Sequence, residues 1–187
     1  MPLHPWTILD LWKDNERFKA GYLNKFPGYY FSGDGGFKDN DDYIFITGRV
    51  DDVINVAGHR LSTAEMEEIV AYHHSVAECA VIGINDELKG QIPLALVVAK
   101  SGEDIEHFQL QHEVVHLVRE QIGAVASLRD VVIVQRLPKT RSGKILRKMM
   151  RSIADGEQFQ VPSTIDDEAI IDEIRDVLEH AKIGCFK

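Results

Sequence analysis

Two short apolar runs constrain this chain most: Cys79-Ala80-Val81-Ile82-Gly83-Ile84 and Leu94-Ala95-Leu96-Val97-Val98. Both are of strand length, rich in branched residues and apolar at successive positions, so they read as strands covered on both faces. The flanking sequence supplies the covers. Ser62 reads as a helix cap with Glu65 as its capping-box partner, followed by Met66, Ile69 and Val70 at helical spacing. A second helix is expected from about Asp104 to Ile122, a strand over Val131 to Val134, a basic helix over Ile145 to Ile153 and an acidic amphipathic one over Asp167 to Ala181. Val53 to Val56 reads as a further short strand, followed by a turn at Ala57-Gly58-His59-Arg60. This order predicts a small α+β domain from about Asp51 onward. The first fifty residues differ. They are turn-rich and aromatic, with a β-hairpin whose second strand is Tyr43 to Thr47, and carry too little periodic apolar sequence for a core of their own. They read as the end of something larger.

Composition narrows the function classes. The 187 residues are 44% hydrophobic and 27% charged, which excludes collagen, coiled coil and wholesale disorder. No run of about 18 apolar residues occurs, so no spanning helix is expected, and no signal peptide is visible at the start. Two cysteines, Cys79 and Cys185, cannot build a disulfide framework and point to a reducing, cytosol-like compartment. A net charge of −9 argues against a nucleic-acid binder. The charge is uneven. Val131 to Ala154 holds seven basic residues, from Arg136 to Arg151, and no acidic one, and the tail beyond reverses the sign. A basic segment in an acidic protein suits a small anionic ligand, or is a solvated helix face.

His112-Glu113-Val114-Val115-His116 matches the HExxH pattern of zinc peptidases. At about 100° per residue, Leu110, Val114, Leu117, Val118 and Ile122 form one apolar face, and His112 and His116 fall opposite its centre. Arg119 stands where the extended motif needs glycine. A polar helix face accounts for the pattern better than a catalytic zinc, which stays a remote alternative. Ser32-Gly33-Asp34-Gly35-Gly36 could curl around a phosphate or simply turn the chain; it is no Walker loop. In Pro138-Lys139-Thr140-Arg141-Ser142-Gly143-Lys144, the Ser-Gly pair permits a sharp turn and delivers Lys144 at its tip, where a compact positive charge could reach a phosphate.

Three segments taken together, Tyr30-Phe31-Ser32-Gly33-Asp34, Gly48 to Arg60 and Pro138 to Lys144, resemble the AMP-forming acyl-CoA synthetases of the adenylate-forming superfamily. Leu11-Trp12, Phe26 to Tyr30, Asn55 to Arg60 and Ser163-Thr164-Ile165 are most similar to the acetyl-/propionyl-CoA synthetase branch. The resemblance implies a small C-terminal lid with a three-stranded type of sheet and helices over residues 51–187. Residues 1–50 would be a hairpin remnant ending the large adenylation domain. It implies ATP, CoA and a short-chain carboxylate as substrates, with magnesium, and acyl-adenylate as intermediate.

By the same resemblance, Lys144 is the catalytic lysine of adenylation. Asp34 would bind the ribose hydroxyls, Arg49 the ribose and phosphates, and Arg60 the nucleotide phosphates. Asp51 is the hinge, Ala57 and Gly58 meet CoA's pantetheine, and Arg119 holds CoA phosphates. Ala71, His73 and Val76 are magnesium candidates through backbone carbonyls. The family's upstream phosphate loop and acyl pocket do not occur in this sequence. The chain alone is therefore expected to form no acyl-adenylate, and a large domain acting in trans is an expected partner, with neither membrane nor nucleic acid involved. The expected location is cytoplasmic, or the mitochondrial matrix for a targeted parent. A non-catalytic CoA- or adenylate-binding module, or one half of a split enzyme, is the alternative.

Overall fold

A computed structural model describes residues 10–102 and 105–187, and only the backbone of Thr47 and Asp51. The chain divides into two compact units, Met1–Asp51 and Asp52–Lys187.

The first unit contains one helical turn, α1 (Asn15–Phe18), capped by the Asp14 carboxylate and continued by a π-turn over Lys19–Leu23. A hairpin follows, β1 (Asp34–Lys38) and β2 (Ile44–Arg49), with a bulge at Gly35/Gly36. The segment Ser32 to Gly36 is thus a strand entry. At the hairpin turn the Asp39 carboxylate accepts the Asp41 and Tyr43 N–H groups at 2.9 Å each. Asp42 takes φ 70° there, a conformation glycine adopts more readily. Phe37 stacks on Phe45 with centroids 5.0 Å apart, and both are exposed, as are Tyr43, Ile44 and Ile46. Among the described residues of this unit, Phe18 is the buried apolar side chain.

The second unit is a five-stranded sheet between two helical layers. The strands are β3 (Val53–Val56), β4 (His59–Ser62), β5 (Val76–Asp86), β6 (Gly90–Ala99) and β7 (Asp130–Ile133). The antiparallel pair β5–β6 and the parallel strand β7 form a three-stranded centre, and hairpin β3–β4 joins it where Val56 meets Gly90. The two apolar runs lie in β5 and β6, and their alternate residues enter opposite cores. Ala80, Ile82, Ile84, Leu94 and Leu96 pack with α4 (Arg147–Ala154) and α5 (Ile170–Ala181). Val81, Ala95 and Val97 pack with α2 (Thr63–Ala71) and α3 (His107–Gln121). Such double coverage explains why these strands lack polar alternation.

Helix α2 starts where the sequence places it, and α3, α4 and α5 start later, for identifiable reasons. The Ser62 hydroxyl accepts the Glu65 N–H at 3.4 Å, which sets the start of α2. Asp104 lies outside the described residues, and α3 begins at His107 after extended Glu106. Before α4, Ile145 bridges to Lys139 and the Leu146 N–H is given to the Pro138 carbonyl, so helix begins only at Arg147. Asp167 accepts the Ala169 N–H at 3.0 Å and α5 begins at Ile170; it ends at Lys182, which takes φ 54°. His59 and Arg60, read as part of a turn, stand in β4 instead, because two residues with positive φ suffice to reverse the chain. No helix among the described residues is long and apolar enough to cross a membrane.

Candidate functional site

In the first unit, Asp34 and Arg49 are ladder partners across β1 and β2. Arg49 donates to the Asp34 carboxylate at 3.3 Å and to the Ser32 carbonyl at 2.8 Å. Gly33 adopts φ 80°, and a Cβ there would lie 2.7 Å from the Arg49 guanidinium. The glycine therefore serves close approach as well as backbone geometry. The Ser32 hydroxyl accepts the Asp34 N–H at 3.3 Å, orienting the start of the strand. Asp51 ends this unit; its side chain lies outside the described residues.

In the second unit, Ala57 and Gly58 form the two-residue loop of hairpin β3–β4, at φ 49° and 89°. Positive φ at both places is the primed turn that matches strand twist. A Cβ on Gly58 meets nothing within 4 Å. The Ala57 N–H is bonded to the Lys89 carbonyl at 2.8 Å, anchoring the loop to the start of β6. Arg60 is exposed on β4, with no ionic or hydrogen-bond partner among the described residues.

Lys144 sits in a tight, heavily bonded turn. The Gly143 N–H reaches the Thr140 carbonyl at 2.8 Å, with Gly143 at φ 83°. The Thr140 N–H reaches the Lys144 carbonyl at 2.9 Å. The Thr140 hydroxyl accepts the Lys144 N–H at 3.1 Å and lies 2.9 Å from the Ser142 hydroxyl. The segment's Thr, Ser and Gly thus define the turn. The Lys144 ammonium is exposed and has no partner among the described residues. Each foot of the turn is fixed. Lys139 donates to both Glu78 oxygens, at 2.6 and 2.7 Å. Arg147 donates in a fork to Glu67, at 2.9 and 2.6 Å, and this bonding pushes the guanidinium's pKa upward. No sequence spacing linked these partners, which lie 61 and 80 positions apart.

Arg119 lies in the last turn of α3 and lines a hollow of about 260 Å³ with Lys89, Ser127 and Arg129. Lys89 donates to the Ser127 hydroxyl at 2.9 Å. Three cations on one hollow suit a multiply charged anion. The sequence pointed to Arg119 alone; Lys89 and Arg129 arrive from other elements.

The HExxH residues behave as a helix face. Leu110, Val114 and Val118 are buried, whereas His112 and His116 are exposed. Glu113 bonds His73 Nε2 at 2.8 Å, and His73 Nδ1 accepts the Ser75 N–H at 3.2 Å. With Nδ1 accepting, the proton of a neutral ring stands on Nε2 and is donated to Glu113. The bond from Gln109, then that from His73, hold the Glu113 carboxyl below its usual range. Among the described residues, no group of three His, Cys, Asp or Glu could hold a metal. The magnesium candidates flank a short connection from Ala71 to Val76 in which the His73 carbonyl already accepts the Val76 N–H at 3.0 Å.

Comparison with known proteins gives a consistent result. The AMP-binding enzyme C-terminal domain matches residues 65–144. An uncharacterized protein of Pseudomonas aeruginosa is 59% identical over 98% of this chain and 29% of its own length. The mitochondrial acyl-CoA synthetase short-chain family member 3 of Mus musculus is 47% identical over 97% of this chain and 26% of its own length. The crystal structure of ATP-bound MatB from Rhodopseudomonas palustris superposes with a TM-score of 0.61 at 26% identity, covering 76% of this chain and 27% of that one. The chain thus spans under a third of the relatives it matches.

Proposed function

We propose that this chain, whose residues 65–144 match the AMP-binding enzyme C-terminal domain, is the C-terminal part of a short-chain acyl-CoA synthetase. The reaction is acetate or propionate plus ATP and CoA to acyl-CoA, AMP and diphosphate. In the first half, a carboxylate oxygen attacks the α-phosphorus and the bond to diphosphate breaks. In the second, the CoA sulfur attacks the acyl carbon, its proton leaves to solvent or a base, and AMP departs. Residues 1–50 end the large domain and residues 51–187 form the lid, with Asp51 as hinge. The observation that carries this reading is the exposed Lys144 ammonium, without a partner among the described residues, on a residue that closes a tight turn against Thr140.

Lys144 offsets charge that develops between the carboxylate and the α-phosphate, the kind of preorganised stabilisation that accelerates acyl and phosphoryl transfer. Asp34 offers two acceptor oxygens to a vicinal diol, and Arg49 and Arg60 supply cationic forks for phosphates. Gly58 and Ala57 border the pantetheine path, and Arg119 takes CoA phosphate. Magnesium enters with the phosphates of ATP. The free cysteines Cys79 and Cys185 fit a reducing compartment, the cytoplasm or the mitochondrial matrix.

The deciding experiment joins this sequence to the remaining large-domain portion of a relative and measures acetate- or propionate-dependent ATP–pyrophosphate exchange. Exchange that Lys144→Ala abolishes supports the proposal; exchange indifferent to Lys144 overturns it. A second reading, a CoA-binding module without catalysis, draws on the three cations around the hollow of about 260 Å³. Calorimetry on the 187-residue chain with CoA separates the two, because binding without any exchange activity in the assembled enzyme favours the module.

A further inference from the structure

The lysine-bearing turn stands on two carboxylates that come from elsewhere in the fold. Glu78 enters from β5, beside a bulge between Val76 and Glu78, and holds Lys139 with both oxygens. Glu67 comes from α2 on the other helical layer. One of its oxygens accepts the Val81 N–H at 2.8 Å, and both receive the Arg147 fork. β5 ends the sheet's strand order, so its outward N–H groups have no neighbouring strand. Glu67 satisfies one of them and in the same stroke ties that edge to the first residue of α4.

These pairs are unequal. Lys139 and Glu78 are partly solvated, with 32% and 45% of their side chains exposed, and an exposed pair adds little to global stability. Glu67 is only 15% exposed and its carboxylate accepts three hydrogen bonds, two of them from Arg147, so losing that partner leaves a largely buried group unpaired. Further backbone bonds, from the Arg141 N–H to Thr164 and from the Asp166 N–H to the Lys139 carbonyl, tie the turn to the segment before α5. Lys144 itself receives none of these side-chain contacts. The arrangement immobilises the feet and leaves the ammonium free.

We infer that Glu67 and Glu78 are positioning residues for Lys144, two anionic clamps that fix the feet of its turn and so the place its ammonium reaches. The inference rests on the catalytic role proposed for Lys144, but the clamps are measurable without it. Limited trypsinolysis of the full 187-residue chain, cutting after Arg141 and Lys144, reads the order of the turn. Glu78→Gln raises the cutting rate there about threefold, and Glu67→Gln about tenfold or more, with other sites unaffected. The charge swap Lys139→Glu with Glu78→Lys restores protection that each single change removes. Salt weakens the protection given by Glu78 and leaves that given by Glu67 nearly unchanged.

In the assembled enzyme, either Gln variant lowers kcat for adenylation, with KM for ATP and the thioester half-reaction unchanged. Unaltered cutting at Arg141 and Lys144 in both Gln variants, or failure of the charge swap to restore protection, overturns the clamps. Faster cutting with unaltered adenylation in an enzyme that needs Lys144 overturns the positioning role. Adenylation that survives Lys144→Ala instead overturns the proposed function and leaves the proteolysis result standing. Glu78→Gln, being solvated, keeps the test valid if Glu67→Gln does not fold.

Discussion

Arg49 and Asp34 face each other across the β1–β2 ladder and share a hydrogen bond of 3.3 Å. The two residues proposed to receive one nucleotide therefore already hold each other. Arg49 keeps a second, shorter bond to the Ser32 carbonyl at 2.8 Å, so it remains fixed when the Asp34 carboxylate turns to a ribose. Asp34 is 38% exposed and able to accept further donors.

Removing either partner is expected to cost nucleotide affinity more than stability. Asp34→Ala deletes the diol acceptor and should weaken ATP binding in the assembled enzyme by about tenfold to a hundredfold, the weight of hydrogen bonds to a charged group. Gly33→Ala tests the same site without touching a ligand. Its Cβ would stand 2.7 Å from Arg49 Nη2 on a backbone at φ 80°, so Arg49 must move. A similar rise in KM for ATP is expected. Unchanged KM in both variants would remove the pair from the site.

At the β3–β4 loop, function and strain are separable. The Cβ of Gly58→Leu meets no atom within 4 Å, but the residue must hold φ 89°, which costs about 1–2 kcal/mol in a non-glycine residue. On the proposed CoA path the same side chain blocks thioester formation while acyl-adenylate still accumulates. Ala57, at φ 49°, is strained in the native chain. Ala57→Asn should raise stability by roughly 0.5 kcal/mol, since asparagine tolerates that conformation. Thermal melts and half-reaction assays distinguish the two effects. Loss of adenylation in Gly58→Leu would place the loop elsewhere in the cycle.

Much of this molecule is legible in the sequence because local rules agree with tertiary packing. The runs at Cys79–Ile84 and Leu94–Val98 can be read as strands covered twice because they lack polar alternation, and both faces are indeed occupied. Ser62 marks α2 through a single capping bond. The turn that presents Lys144 is written in Thr140, Ser142 and Gly143, neighbours whose bonds are local. What the sequence conceals is long-range charge pairing. Glu67 looks like any acidic residue on a polar helix face until the edge of β5 and Arg147 arrive beside it. Lys89 and Arg129 likewise carry no pattern that links them to Arg119. The start of α4 shifts for a local reason: Ile145 has helical character but is claimed by a backbone bridge to Lys139, so the helix begins at Arg147.

The two cysteines should differ sharply as nucleophiles. Burial, reinforced by the Glu67 carboxylate, pushes the Cys79 thiol from 9.0 up to about 11. Cys185 is exposed. Iodoacetamide at pH 8 should therefore label Cys185 and leave Cys79 largely unmodified, because the thiolate is the reactive form. The folded pKa of Cys79 lies above the unfolded one, so its contribution to stability is full below about pH 9 and is lost as pH rises through about 11. Cys79→Ser should remove that alkaline loss. Equal labelling of both thiols in the native chain would contradict the environment described for Cys79.

Lys144 is the residue on which the functional reading turns, and its two half-reactions allow a clean test. The ammonium is exposed and without a partner among the described residues, so Lys144→Ala removes no structural bond of that side chain and should leave the melting temperature nearly unchanged. Charge at the α-phosphate develops only in adenylation. Deleting the cation should therefore slow ATP–pyrophosphate exchange in the assembled enzyme by about a hundredfold to a thousandfold, the usual weight of one preorganised donor. Thioester formation from supplied acyl-adenylate should proceed at the parental rate, because that step separates AMP already bonded to the acyl group. Lys144→Arg retains the charge but not its compact shape, so only partial recovery of exchange is expected. Equal loss in both half-reactions would mean that Lys144 binds a feature common to both states, and its assignment to adenylation would fall.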